Sequence, residues 1–351
     1  MSPGFWCGKR VLLTGHTGFK GAWAALWLER LGATVTGLAL APETEPNLFA
    51  LAAGSLGVES RIVDLRNGSA VAAAVEAVSP EVVLHLAAQA IVRHSYTNPV
   101  ETFAANVMGT VHLLDALRRC ERLKAVLVVT SDKAYANREG GAAFTEADPL
   151  GGDDPYSASK AAAEMAATAW ARSFFDATGV AVATARAGNV IGGGDWAADR
   201  LIPDIWRAHE AGRAPVLRYP DATRPWQHVL DPLSGYLRYA ESLAGGPGAE
   251  LPRALNFGPG DEAGLSVSVI AERMLDALGS TTGWSHEPAP QPPEKRILAL
   301  NAGAAKQVLG WRPKLAIAEG LAWTVEWYRA LADGGDAAAI TRTQIERYEV
   351  L

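Results

Sequence analysis

Short runs of apolar and β-branched residues punctuate the first half of the chain: RVLLT (10–14), TVTGLAL (34–40), SRIV (60–63), EVVLHLA (81–87), AVLVVTS (125–131) and VAVATAR (180–186). Most lack the alternation of a half-exposed strand, which predicts strands buried on both faces of a parallel sheet. Between them, apolar positions recur at helical spacing. KGAWAALWLERLG (20–32) sets Trp23, Leu26, Trp27 and Leu31 near one face and stops at Gly32, a residue suited to ending a helix. GSAVAAAVEAVSP (68–80) ends before Pro80, and PVETFAANVMGTVHLLDALRRC (99–120) opens with a proline in its first turn and closes with Arg118 and Arg119. The pattern predicts an α/β fold with a doubly wound parallel sheet. Past residue 187 the regular alternation stops. Residues 1–187 are therefore expected to form the sheet domain and 188–351 a smaller, interleaved lobe, with ALNFG (254–258) rejoining the sheet. No internal repeat is visible.

Composition narrows the function classes. With 351 residues there is material for a large core, and a net charge of -6 argues against a general nucleic-acid surface, which needs clustered Lys and Arg. Cys7 and Cys120 stand at no metal-ligand spacing, so neither a zinc site nor a disulfide framework is expected. MSPGFWCGKR lacks the apolar core of a signal peptide, and no stretch approaches the ~18 apolar residues of a membrane span. The expectation is a cytoplasmic protein with no membrane partner.

LLTGHTGFKGAW (12–23) places Gly15, Gly18 and Gly21 between the first strand and the first helix. Glycines there allow a tight turn and close approach of backbone to a pyrophosphate, and the helix N-terminus offers free N–H groups. The loop predicts dinucleotide binding by the sheet domain. His16, Phe19 and Lys20 lie inside it, and His16 and Lys20 are candidates for phosphate or ribose contacts. An acidic partner for the adenosine ribose is expected about twenty residues on, yet the end of the second strand brings no carboxylate until Glu43 and Glu45 in the following loop. The preference between NAD and NADP is thus weakly encoded, with Lys20 a candidate for a 2′-phosphate. Asp64 and Leu65 follow the third strand, where Asp64 is placed either for an adenine amino group or for capping a helix. HLAAQ (85–89) would bring Ala87, Ala88 and Gln89 past the cofactor.

At the carboxyl end of the fifth strand the apolar run breaks into Ser131, Asp132 and Lys133, where ligands bind in open α/β sheets. DPYSASKAAAEMAATAWARSFF (154–175) then sets Tyr156 and Lys160 four residues apart on one helical face. A neighbouring ammonium stabilises a phenolate, so the pair can act as a base. With the glycine loop, these residues resemble the extended short-chain dehydrogenase/reductase family. Longer segments in matching order, FWCGKRVLLTGHTGFKGAW, AAQAIVRHSY, TSDKAYANRE, DPYSASK, RAGNVIGGGDWAADRLIPD and RPWQHVLDPLSGY, narrow the resemblance to its nucleotide-sugar dehydratases.

The resemblance implies a Rossmann fold, NAD as cofactor with NADP not excluded, and CDP-glucose as substrate. Tyr156 would take the O4 proton beside Ser131, with Lys160 holding the nicotinamide ribose. Asp132 would donate to the departing C6 hydroxyl. Lys133 would be the C5 base, a stabiliser of the enolate, or a structural partner of Asp132. Asn189 would meet the sugar diphosphate, with Arg224 and Arg200 as candidate phosphate ligands, while His228 is read as loop support. A dehydratase for another nucleotide sugar, or a 4-epimerase, is the alternative. Family members pair two helices per subunit in a four-helix bundle, which implies a homodimer through 98–120 and 154–178, or a higher oligomer.

Overall fold

The computed structural model describes residues 4–140, 142–245, 251–260, 264–286 and 292–351. Among the described residues, seven strands form one sheet: β1 Arg10–Thr14, β2 Thr34–Ala39, β3 Glu59–Ile62, β4 Val82–His85, β5 Ala125–Val129, β6 Ala181–Ala187 and β7 Ala254–Phe257. Their order is β7-β6-β5-β4-β1-β2-β3, every pairing parallel. Chain direction across the sheet reverses between β1 and β4, which opens a crevice at their carboxyl ends.

Why the strands read as continuous apolar runs is visible in β5. Val126 and Val128 pack into the layer beneath the helices at 68–78 and 109–117, while Leu127 and Val129 join the larger core on the opposite face. Both faces are dry, so neither carries polar residues.

The first helix, α1 (Phe19–Arg30), corrects the one-face expectation. Every residue from Gly21 to Leu28 is buried, because the C-terminal helix Ala337–Val350 covers what would have been its outer side. Trp27 Nε1 donates to Glu349 Oε1 at 2.9 Å, and Arg30 pairs with Glu349 and Glu346. Gly32 ends the turn at φ +80°, as its position implied. The helix α2 (Gly68–Val78) stops one residue before Pro80, at Ser79 in the left-handed region. Asn67 caps its start, accepting from Ala70 N at 3.1 Å, so Asp64 is not the cap. The segment Pro99–Phe103 continues through a π-helical turn, Ala104–Met108, into α3 (Gly109–Leu117). The helix α4 (Pro155–Trp170) is capped by Asp154, which accepts from Ser157 N at 2.9 Å.

The second half folds back over the sheet through Leu230–Ala244, while Leu201–Glu210 and Ile317–Ala332 pack on the helix Val267–Ala277. A short parallel pair, Asn189–Ile191 with Trp226–His228, stands beyond the carboxyl end of β6 and forms one wall of the crevice. Among the described residues, no helix is long and apolar enough to cross a membrane.

Candidate active site

The crevice is a cleft of about 270 Å³ lined by residues from both halves, among them Phe19, Lys20, Ser131, Tyr156, Asn189 and Arg200. On its cofactor side, Gly15 has φ +76°, and a Cβ there would lie 2.7 Å from the backbone nitrogen of Ala87. At Gly21 a Cβ would meet the Gly15 carbonyl oxygen at 1.9 Å, so α1 can seat on its loop only without a side chain. Gly18 is the N-cap of α1 and places no side-chain acceptor on the free N–H groups of the first turn.

The other expected cofactor residues divide. Ala87 N donates to Thr14 Oγ1 at 3.1 Å, tying the β4 loop to the end of β1. Ala88 follows, half-buried. Gln89 is held at its backbone by Asn106 Oδ1 at 2.8 Å, and its side chain donates to Thr102 and accepts from Ile91 N, so it shapes the loop. Leu65 is buried against Gly109, and its carbonyl accepts from His112 at 2.8 Å. Asp64 accepts Arg66 Nε and Nη2 at 2.7 to 3.0 Å, and that guanidinium holds its carboxyl below the usual range.

Two corrections concern the glycine loop. The imidazole of His16 is wholly buried over Gly37, edge-on to Phe49, with Nε2 2.7 Å from Ser60 Oγ. Burial pushes it down to about 4, so it is a neutral packing group and not a phosphate ligand. Lys20 reaches the reaction end of the cleft, within the fields of Arg200, Asp132, Asp195 and Lys133. That removes it from a 2′-phosphate. Burial and then the Arg200 charge push its ammonium down to about 8.

At the carboxyl end of β5, Ser131 caps a single 3₁₀ turn, Asp132–Ala134. Its hydroxyl accepts from Lys133 N at 3.2 Å and donates to Asp132 Oδ1 at 2.9 Å. Asp132 is fully buried, and its Oδ2 has no partner among the described residues. Lys133 Nζ lies 3.5 Å from Asp132 Oδ1 and 3.5 Å from Asn189 Oδ1, which makes it the bridge between the two halves of the cleft. Tyr156 is buried and pushed up to about 12 by desolvation, an effect that the Ser131 hydroxyl partly opposes. Lys160 is buried four residues on, donating to the Val129 carbonyl at 3.4 Å. Burial and then the Lys20 charge push it down to about 7.

Arg200 Nη1 donates to Asp195 Oδ2 at 2.8 Å, which fixes its side chain at the cleft wall. Arg224 is buried there too, donating to the Thr223 and Arg296 carbonyls and to Glu294 Oε2 at 3.2 Å. His228 sits between Trp23 and Trp323 with ring centroids about 6 Å away, a packing role. Three supporting groups escaped the sequence reading. His85 bridges Thr14 (2.7 Å) and Thr110 (2.9 Å); Asn106 holds both Gln89 and Ser159; Asp195 positions Arg200. Only Asp195 left a local signal, an acid in a glycine-rich loop five residues before an arginine.

The model of the NAD dependent epimerase/dehydratase family matches residues 11–258. A CDP-glucose 4,6-dehydratase of Salmonella typhimurium is 44% identical over 349 residues, 98% of this chain and 97% of that protein. Among solved structures, the UDP-glucose 4-epimerase of Thermotoga maritima with UDP-glucose superposes with TM-score 0.78 at 22% identity, covering 92% of this chain and 99% of that one. The dTDP-glucose 4,6-dehydratase of Bacillus anthracis in complex with NAD superposes with TM-score 0.76 at 23% identity, covering 93% and 99%. At these identities the two structures establish the shared fold.

Proposed function

The chain belongs to the NAD dependent epimerase/dehydratase family, and from that membership we propose that it is a CDP-glucose 4,6-dehydratase. It converts CDP-glucose to CDP-4-dehydro-6-deoxyglucose with loss of one water. The observation that carries this reading is the 44% identity, over 98% of the chain, to the Salmonella typhimurium enzyme.

The glycine loop fits a dinucleotide, because Gly18 leaves the α1 N–H groups uncapped and Gly15 admits close approach to the Ala87 backbone. NAD supplies a reversible hydride acceptor and a positive ring when bound. Around it the chain's own groups have distinct tasks. Tyr156 takes the O4 proton, and the Ser131 hydroxyl steadies that oxygen. Lys160, one turn further along the same helix, supplies positive charge that lowers the cost of ionising the phenol.

Oxidation at C4 acidifies the C5 hydrogen. Asp132, enclosed and with one oxygen unpartnered, gives a proton to the C6 hydroxyl as it leaves as water. Lys133 takes the C5 proton or holds the negative charge left on the enolate. Return of hydrogen to C6 and of a proton to C5 completes a product that differs from the substrate by one water. Asn189, Arg224 and Arg200, all lining the cleft, hold the sugar diphosphate; a guanidinium binds phosphate oxygens in pairs.

The enzyme works as a homodimer. The helices at 98–120 and 154–178 leave Val100 82% and Met165 57% exposed, and such faces favour a partner. The reaction is placed in the cytoplasm, where Cys7 and Cys120 remain free thiols. The deciding experiment incubates purified protein with CDP-, dTDP- and UDP-glucose and reads product masses. Loss of water from CDP-glucose is expected. Water loss from another nucleotide sugar instead assigns a different dehydratase, and an isomer of unchanged mass assigns a 4-epimerase.

A further inference from the structure

A buried ion pair beneath the cleft fastens both ends of the segment that carries Ser131, Asp132 and Lys133. Glu164, on α4 one turn past Lys160, and Arg186, on β6, have side chains only 2% and 5% exposed, and neither lines the cleft. Arg186 grips the carboxylate with two bonds, Nε to Oε1 and Nη2 to Oε2, both 2.9 Å. The remaining carboxylate positions accept hydroxyls: Thr184 Oγ1 on Oε2 at 2.6 Å and Thr130 Oγ1 on Oε1. Thr130 is the residue before Ser131.

The third nitrogen of Arg186 runs the other way, Nη1 donating to the Tyr135 hydroxyl at 2.7 Å. Tyr135 follows the 3₁₀ turn that holds Asp132 and Lys133, and its hydroxyl donates to Asn256 Oδ1 at 2.7 Å. Asn256 in turn donates to the Phe144 and Asn301 carbonyls, and the Phe144 ring stacks on Tyr135 at 4.8 Å. One ion pair thus reaches the reactive segment from its amino end through Thr130 and from its carboxyl end through Tyr135.

A buried ion pair gains little stability over an apolar pair of the same volume, since desolvation offsets its attraction. Directional bonding is what apolar packing does not provide. We infer that Glu164 and Arg186 are positioning residues, which act through Thr130 and Tyr135 to hold Asp132 and Lys133 in register for the elimination step. This rests on the dehydratase reading above. Ser131 is held by the end of β5 on one side, whereas Asp132 and Lys133 lie in the turn between the two anchors. The two anchors therefore predict different losses. Releasing Tyr135 disturbs elimination and spares oxidation; releasing Thr130, next to Ser131, slows both.

Single turnovers of Tyr135→Phe and Thr130→Val with CDP-glucose test this, each variant keeping the ion pair itself. Reduced-cofactor absorbance reports oxidation, and product mass with incorporation of solvent deuterium at C5 reports elimination. For Tyr135→Phe, oxidation within about threefold of the unaltered enzyme and elimination slowed at least about tenfold are expected, with reduced cofactor persisting, since small displacements at a reacting centre cost rates of this order. For Thr130→Val, both steps slow. Equal slowing of both steps in Tyr135→Phe, or a lower melting temperature with the balance of the steps unchanged, overturns the inference and leaves the network a role in stability alone. If the unaltered enzyme removes no water from CDP-glucose, the dehydratase reading falls and this inference with it. If it does remove water and Tyr135→Phe partitions normally, only the inference falls.

Discussion

Tyr156 and Lys160 show how much a site depends on the company of its residues. Burial raises the phenol to about 12 and lowers the ammonium to about 7, so desolvation alone works against the ionised form of each. For the phenol to act as a base, the positive charge near it has to be kept. In Lys160→Met that charge is gone, the phenol holds its proton more tightly, and the acid limb of kcat/KM is expected to move to higher pH by about one unit or more. A pH profile with an unmoved acid limb would remove Lys160 from this role. For Lys133, Lys133→Ala should lose exchange of C5 hydrogen with solvent deuterium; exchange at the normal rate would leave Lys133 as a stabiliser of charge. The residue types were legible in the sequence at these positions. The contact of Lys133 with Asn189, and the crowding of Lys20 among Arg200 and Asp132, were not, because they join residues far apart in the chain.

Among the elements, the glycine loop and α1 form the most constrained joint. A methyl group at Gly21 would overlap the Gly15 carbonyl, and both partners are backbone, so neither can swing aside. Gly21→Ala is expected to cost at least about 2 kcal/mol, as overpacked substitutions do, and to weaken cofactor binding, read by denaturant unfolding and by titration with NAD. The same substitution at Gly18, whose Cβ would come no closer than 3.4 Å, should be milder. Spacing alone pointed to all three glycines and could not rank them. The burial of α1 on every side was equally hidden, because the helix that covers it, Ala337–Val350, lies some three hundred residues later.

Taken whole, the molecule carries three buried histidines whose proton affinity is depressed by desolvation: His16 to about 4, His85 and His228 to about 3. Unfolded, each would bind a proton near pH 6.5. Below that pH the unfolded chain takes up protons that the native state refuses, so stability is intact above pH 6.5 and falls as pH drops toward 4. The slope is up to about 1.4 kcal/mol per pH unit for each histidine. Asp231, raised by burial to about 6, acts with the opposite sign between 3.8 and 6 and offsets part of the loss. Urea unfolding from pH 8 to pH 4.5 should show a net decline, and His85→Gln should flatten it; a flat profile in the unaltered protein would contradict the buried neutral imidazoles.

Local information sufficed for the parallel sheet, the glycine turn and the presence of a serine, acid, lysine and tyrosine set, because strand burial, turn geometry and helical spacing are written within a few neighbouring residues. Tertiary structure alone decided that His16 packs under β2, that Lys20 faces the reaction end, and that Glu164 meets Arg186 below the segment they bracket. Those outcomes depend on which elements lie side by side across the sheet. Electrostatic fields and directional bonds act through space, and no spacing along the chain records them.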